Sequence, residues 1–249
     1  MYTKSLLIAA LATLATASPL EVRQYGGGGT ILKEFSQGGC REILFAWARG
    51  STELGNMGMT VGLPTSNGLK QAFGATKVAT EGIDYAASIG TNGLPGGTDA
   101  RSKNLMKDTL TAMASKCPNS VIVTGGYSQG AAVNHRAIEE LPAAVKEQIA
   151  GVILYGDTQK QQDRNQIPNF PANKVKIICQ VGDAVCRGTL AVLPAHLTYG
   201  SRVGEGVQFL TAQIRAAQAI IRARNAKREA EKAVAGVFEE AKRAVDLVV

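Results

Sequence analysis

The chain is poor in histidine, with only His135 and His196 in 249 residues, and its four cysteines include no Cys-x-x-Cys pair. Zinc sites are built from closely spaced cysteine and histidine ligands, so no metal centre is expected, and no other cofactor is called for. Aromatic residues make up 5% of the chain, and the basic residues behind its net charge of +7 are scattered. Nucleic-acid binding draws on clustered cations and recognisable motifs, so nucleic acid is not an expected partner, and the charge reads as mild surface basicity. Beyond Leu14 no apolar run approaches the ~20 residues of a membrane-spanning helix. No internal repeat or linker divides the sequence.

What is present begins with a leader. Lys4 precedes an apolar run from Leu6 to about Leu14, and Ala15-Thr16-Ala17 is a small-residue cleavage site. Residues 1–17 read as a secretory signal peptide, too short for a membrane span, so the mature protein is expected to be secreted and extracellular. Residues 18–30 read as a pro-segment or flexible lead-in, 31–221 as one α/β domain, and 222–249 as a helical extension. The extension is Ala-rich, with mixed charges and an apolar set at Val234, Phe238, Ala241, Val245 and Val248. Its spacing suits an amphipathic helix that packs on the domain or a partner, but a solvated extension is the simpler reading. The chain is expected to act as a monomer.

Secretion makes two disulfides the default for Cys40, Cys117, Cys179 and Cys186. Cys40 stands just ahead of the apolar run Ile43–Ala48, and Cys117 just ahead of Val121–Thr124. If these runs are parallel strands of one sheet, both cysteines lie at the same sheet edge. The expected pairs are therefore Cys40–Cys117 and Cys179–Cys186.

Pro118 to Gly130 organises the chain. Val121, Ile122 and Val123 form a β-branched run of the kind buried in a parallel strand. Gly126-Tyr127-Ser128-Gln129-Gly130 follows, and then the helix-forming stretch Ala131–Leu141. A Gly-x-Ser-x-Gly pentapeptide is common by chance, but between strand and helix it fits the sharp turn that lifts a serine nucleophile off a sheet. Further helices are expected at Leu69–Ala75, Asp99–Lys116 and along the stripe Val207 to Ile221. Further strands are expected near Lys77–Thr80, at Gly151–Tyr155 and at Val175–Cys179. The alternation predicts a three-layer α/β/α sandwich around a parallel sheet. Residues 82–98 read as an irregular loop overhanging a site.

A serine nucleophile needs a base and a group that orients it. His135 is seven residues beyond Ser128 on the same helix, about 10 Å along the axis, and reads as a surface or packing residue. His196, in a loop, is the base by elimination. Asp157 and Asp183 both follow strands and keep the order Ser…Asp…His; Asp183, bracketed by Cys179 and Cys186, is preferred because the small disulfide loop would hold it rigidly. The backbone amide of Gln129 and the turn Gly50-Ser51-Thr52 are placed to bind an oxyanion.

These motifs together resemble those of fungal cutinases. Pro118–Gly130 is similar to the family's nucleophile signature. Cys179-Gln-Val-Gly-Asp183-Ala-Val-Cys186-Arg-Gly-Thr…His196 resembles its second signature, and Ala48–Glu53 and Asn92-Gly93-Leu94-Pro95 also match. The likeness runs from Cys40 to about Gln218. It implies a lidless α/β-hydrolase fold, the triad Ser128, Asp183 and His196, and an oxyanion hole from Ser51 and Gln129 with Asn92 holding the Ser51 hydroxyl. It also implies acyl-chain contacts at Ile89, Val192 and Leu197, and it supports both disulfides. The implied activity is hydrolysis of cutin, a polyester of hydroxy fatty acids, or of another extracellular ester polymer, through an acyl-enzyme. An acetylxylan esterase is the nearest alternative, and a catalytically inactive secreted binding protein the more distant one. Two departures stand out: Asp157, where related enzymes carry a tyrosine before a threonine, and the tail beyond Arg222.

Overall fold

The computed structural model describes residues 29–246, with side chains placed to residue 236. The signal peptide, most of the lead-in, and the apolar side chains expected at Phe238, Ala241, Val245 and Val248 lie outside the described residues. The chain enters through Thr30, whose carbonyl accepts the backbone N–H groups of Asn56 and Met57.

Five strands form one parallel sheet: β1 Ile43–Ala48, β2 Val78–Gly82, β3 Val121–Tyr127, β4 Ile149–Tyr155 and β5 Val175–Ile178, in the spatial order β2-β1-β3-β4-β5. Every residue of β1 to β4 is buried, and β1 and β4 carry the near-continuous apolar sequences expected of strands covered on both faces. Alternate side chains serve two cores. Leu44, Ala46, Ile122, Val152 and Leu154 belong to one, Ile43, Phe45, Trp47, Val123, Ile153 and Tyr155 to the other. The short α1 (Glu34–Gly38) packs beside β2. Helix α2 (Gly62–Phe73) and the start of α6 (Val203–Asp246) cover the second core; α3 (Ala100–Lys116), α4 (Gln129–Glu139) and α5 (Ala143–Gln148) cover the first. This is the three-layer α/β/α sandwich expected.

Several boundaries differ from expectation for identifiable reasons. Helix α2 starts at Gly62, seven residues before the expected Leu69, because Pro64 falls in the first turn, where its missing N–H has no intrahelical partner to lose. Strand β2 spans Val78–Gly82 rather than Lys77–Thr80. A Cβ on Gly82 would stand 2.3 Å from Asn56 Oδ1, whose side chain bonds the same backbone, so the glycine expected to begin the irregular loop is instead a strand end under close approach. Strand β3 likewise continues through Gly125 and Gly126 to Tyr127. The overhanging segment holds two 3₁₀ turns, Ile89–Gly93 and Pro95–Gly97. The final helix and the expected helical extension from residue 222 are continuous: α6 is a single helix of 44 residues, about 66 Å long. Its packed part ends at Ile221, and the side chains of residues 222–236 are all exposed.

Both expected disulfides are present, Cys40–Cys117 across 77 residues and Cys179–Cys186 across seven. The first joins the amino ends of β1 and β3, which pair directly. The chain leaves β1 towards β2 on one side and returns to β3 on the other. The crevice at the carboxyl ends of β1 and β3 is therefore the topological switch point, where open α/β sheets bind ligands.

Candidate active site

Ser128 sits at that switch point, between the last residue of β3 and the first of α4, with φ 55° and ψ −116°. A non-glycine residue in this region is strained and must be held by its surroundings. Its N–H is fixed by the Tyr155 carbonyl at 2.9 Å. The flanking glycines are sterically required. A Cβ on Gly126 would lie 2.2 Å from the Gly130 carbonyl oxygen, and one on Gly130 would lie 2.0 Å from that of Ala48. The elbow thus closes only without side chains there.

The structure brings Ser128, His196 and Asp183 together. The Ser128 hydroxyl donates to His196 Nε2 at 3.0 Å, and His196 Nδ1–H donates to Asp183 Oδ2 at 2.8 Å. The imidazole and carboxylate are buried, whereas Ser128 is partly open to solvent. His196 rides on the 3₁₀ turn Pro194–Leu197. Tyr127 stacks on its ring at 5.3 Å between centroids and donates to its backbone carbonyl at 2.6 Å. Gly156 leaves room for the ring's other edge, since a Cβ there would fall 2.8 Å from His196 Cε1. Asp183 Oδ1 accepts the Val185 N–H at 2.9 Å inside the Cys179–Cys186 loop.

Ser51 and Gln129 flank the serine as expected. Gln129 is the first residue of α4, where the N–H has no intrahelical acceptor and meets the positive end of the helix dipole. Asn92 Nδ2 donates to Ser51 Oγ at 2.9 Å and to the Ile89 carbonyl at 3.0 Å. Because the Ser51 oxygen accepts that bond, its own hydrogen remains free to donate within the cleft that Ser51 and Ser128 share. Sequence reasoning missed the Gln129 side chain, whose Nε2 donates to the Ser88 carbonyl and to Thr91 Oγ1 at 2.8 and 2.6 Å. It ties the elbow to the Ile89–Gly93 turn and the residue before it. No local sequence signal marks a contact across about 40 residues. Ile89, Val192 and Leu197, together with the unanticipated Leu190, line a cleft of about 520 Å³ that also holds Ser51, Ser128 and His196. All four apolar side chains are largely exposed.

The two rejected candidates, His135 and Asp157, meet each other. His135 is fully buried, bonded through Nε2 to Asp157 Oδ2 at 3.0 Å and through Nδ1 to Asp163 Oδ2 at 2.6 Å. It is a packing residue and does not line the cleft that holds Ser128. Asp157 also accepts the Gln159 N–H at 2.8 Å, so it does cap a local turn, and Arg136 pairs with Asp163. Two carboxylate acceptors ask both ring nitrogens to carry hydrogen. Burial pushes the His135 pKa down, but Asp157 and Asp163 outweigh it and raise the value to about 9. A folded-state pKa above the unfolded one stabilises the fold fully below about pH 6.5, and that contribution is lost as pH rises through about 9. The melting temperature should therefore fall by several degrees between pH 7 and pH 10 in scanning calorimetry. A flat profile over that range, or the same fall in His135→Gln, would contradict this assignment.

A serine, a histidine and a carboxylate bonded in series at the carboxyl edge of a parallel sheet make this an α/β-hydrolase fold carrying the layout of a serine hydrolase. Comparison with known proteins narrows the class. The sequence model described as Cutinase matches residues 39–214. The chain is 46% identical to the probable cutinase 1 of Aspergillus niger over 221 residues, 85% of this chain and 84% of that one. It is also 46% identical to cutinase CUT2 of Pyricularia oryzae over 214 residues, 86% and 99% of the two chains. Among solved structures, Trichoderma reesei cutinase bound to a phosphonate inhibitor is 31% identical, with a TM-score of 0.64 over 70% of this chain and 77% of that one. An acetylxylan esterase shares the fold at 22% identity, with a TM-score of 0.58 over 70% and 99% of the chains. The chain belongs to the cutinase family and is a cutinase-type carboxylic ester hydrolase.

Proposed function

We propose that the protein is secreted and hydrolyses cutin, the polyester of hydroxy fatty acids, through an acyl-enzyme on Ser128. The observation that carries the reading is the hydrogen-bonded series Ser128–His196–Asp183 opening onto a cleft edged by Ile89, Leu190, Val192 and Leu197. Those exposed side chains suit an aliphatic acyl chain better than a sugar, and the partly open serine suits a bulky polymer. Two disulfides and the cutinase relatives support an extracellular setting, and no helix among the described residues is long and apolar enough to cross a membrane.

In this mechanism His196 Nε2 takes the proton of Ser128 as Oγ attacks the ester carbonyl. The oxyanion that forms is bound by the Gln129 N–H and by Ser51. Collapse expels the alcohol, which receives the proton from His196. Water then attacks the acyl-serine, giving its proton to His196, and the carboxylic acid leaves with Ser128 restored. Asp183 holds the imidazole with Nδ1 protonated and stabilises its charged form.

Asn92 acts here by orienting the Ser51 hydroxyl. Asn92→Ala is expected to lower kcat by roughly 10- to 100-fold with KM little changed, because the donor matters most once the oxyanion has formed. A rise in KM at unchanged kcat would instead place Asn92 in ground-state binding.

Rates on p-nitrophenyl butyrate, cutin and acetylated xylan, each measured with Ser128→Ala alongside, test the substrate. Release of hydroxy fatty acids from cutin, lost in the variant, is expected. Activity on the small ester and on xylan but not on cutin would shift the reading to an acetylxylan esterase. A folded, disulfide-bonded protein inactive on all three would point to a binding role.

A further inference from the structure

Asp183 has one more partner than a serine-histidine-carboxylate series requires. Tyr199 is fully buried on the 3₁₀ turn Tyr199–Arg202, and its hydroxyl lies 2.6 Å from Asp183 Oδ2, the oxygen that also receives His196 Nδ1–H. The direction of this bond is fixed by its surroundings. The Gln180 backbone N–H approaches the same phenol oxygen at 2.9 Å and can only donate, so the oxygen accepts there and its proton points to Asp183. The ring meets that of His196 edge-on, with centroids 6.0 Å apart and planes at 83°. Burial first, and then the bond to Asp183, raise the Tyr199 pKa, so the phenol stays protonated and able to donate throughout the range in which an esterase works.

We propose that Tyr199 is a positioning residue that acts through Asp183: it shares the carboxylate oxygen with His196 and thereby limits how strongly that carboxylate holds the imidazolium. This rests on the reading of Ser128, Asp183 and His196 as the reacting series. With two donors on Oδ2 and the Val185 N–H on Oδ1, the carboxylate's charge is divided three ways. Removal of the phenol proton concentrates that charge on His196 Nδ1–H, which favours the protonated imidazole and moves the acid limb of the pH profile upward. The other ionisable or charged groups around His196 leave Tyr199 as the adjustable one. Tyr127 bonds the backbone carbonyl of His196 and only stacks on its ring. Glu53, the other carboxylate of the cleft, is engaged by the Gly50 and Thr60 N–H groups. Arg202, near Gln180, is paired with Glu205.

The test is the pH dependence of kcat/KM for p-nitrophenyl butyrate in wild type, Tyr199→Phe and Tyr127→Phe. Tyr199→Phe keeps the ring and its packing. Its acid limb should move up by about 0.5–1 pH unit, with kcat lowered several-fold, while the Tyr127→Phe limb stays in place. A loss of kcat in Tyr199→Phe with the limb unmoved means packing alone and overturns the proposal, as does no change in either quantity. If Tyr199→Phe does not fold, proton NMR of the wild-type protein with labelled tyrosine decides: a slowly exchanging downfield hydroxyl proton on Tyr199 is expected, and its absence overturns the proposal. Failure of the underlying series is distinguishable, because it would appear as retained activity in Ser128→Ala.

Discussion

Ser128→Ala is expected to lower kcat/KM for p-nitrophenyl butyrate by roughly 10⁴–10⁶-fold, leaving only the contribution of the oxyanion donors and of binding. The size follows from the geometry. The Ser128 oxygen is the group bonded to His196 Nε2, and no other hydroxyl in the cleft has that bond among the described residues. Nearby Ser51 points its oxygen at Asn92, and Thr158 lies on the cleft wall. The alanine variant should fold as the wild type does, because the bonds that form the elbow, Ser128 N–H to Tyr155 and Ala131 N–H to the Ser128 carbonyl, use only backbone. The positive φ at this position is a cost that alanine bears as serine does. A residual activity within tenfold of wild type would require another nucleophile.

The second large effect concerns stability. Replacing both Cys40 and Cys117 by serine should destabilise the fold by about 4–5 kcal/mol, against about 2–3 kcal/mol for the Cys179 and Cys186 pair. The difference comes from loop length, 77 residues against seven, since the longer closed loop removes more entropy from the unfolded chain. The two pairs should also differ in what is lost. The long bridge joins strand ends opposite the cleft, so its removal lowers the urea midpoint while kcat of the folded protein persists. The short bridge encloses Asp183, so its removal should lower kcat as well. Equal urea midpoints for the two double variants would contradict the loop-length argument.

The parts of the fold that the sequence made legible are those whose causes are local. Ile43–Ala48 and Val121–Val123 read as strands because burial on both faces leaves no place for polar alternation. The first disulfide followed from placing two cysteines ahead of two parallel strands. Ser128 was legible from its glycines, and the backbone distances at Gly126 and Gly130 show why nothing larger fits. His196 and Asp183 were reached by exclusion: a chain with two histidines and one disulfide-bracketed aspartate leaves few combinations.

Contacts that depend on the assembled tertiary structure were not legible. The helix expected from Leu69 starts seven residues earlier, at Gly62, with Pro64 inside its first turn, where proline costs little. Gly82 reads from sequence as the start of an irregular loop, although it ends a strand against Asn56. The Gln129 side chain and the Tyr199 hydroxyl act across 41 and 16 residues, and no periodicity or spacing encodes such bonds. The pairing of His135 with Asp157 and Asp163 belongs to the same group, because their meeting arises only when α4 packs beside the segment after β4.

The most direct test of the account is covalent capture with a p-nitrophenyl alkylphosphonate, followed by peptide mass mapping. Attack by Ser128 Oγ on phosphorus should release one equivalent of p-nitrophenolate and leave the phosphonyl group on the peptide containing Ser128. Ser128→Ala should release none. Labelling on any other residue, or equal labelling of the variant, would contradict the assignment of Ser128 as the nucleophile and the mechanism built on it.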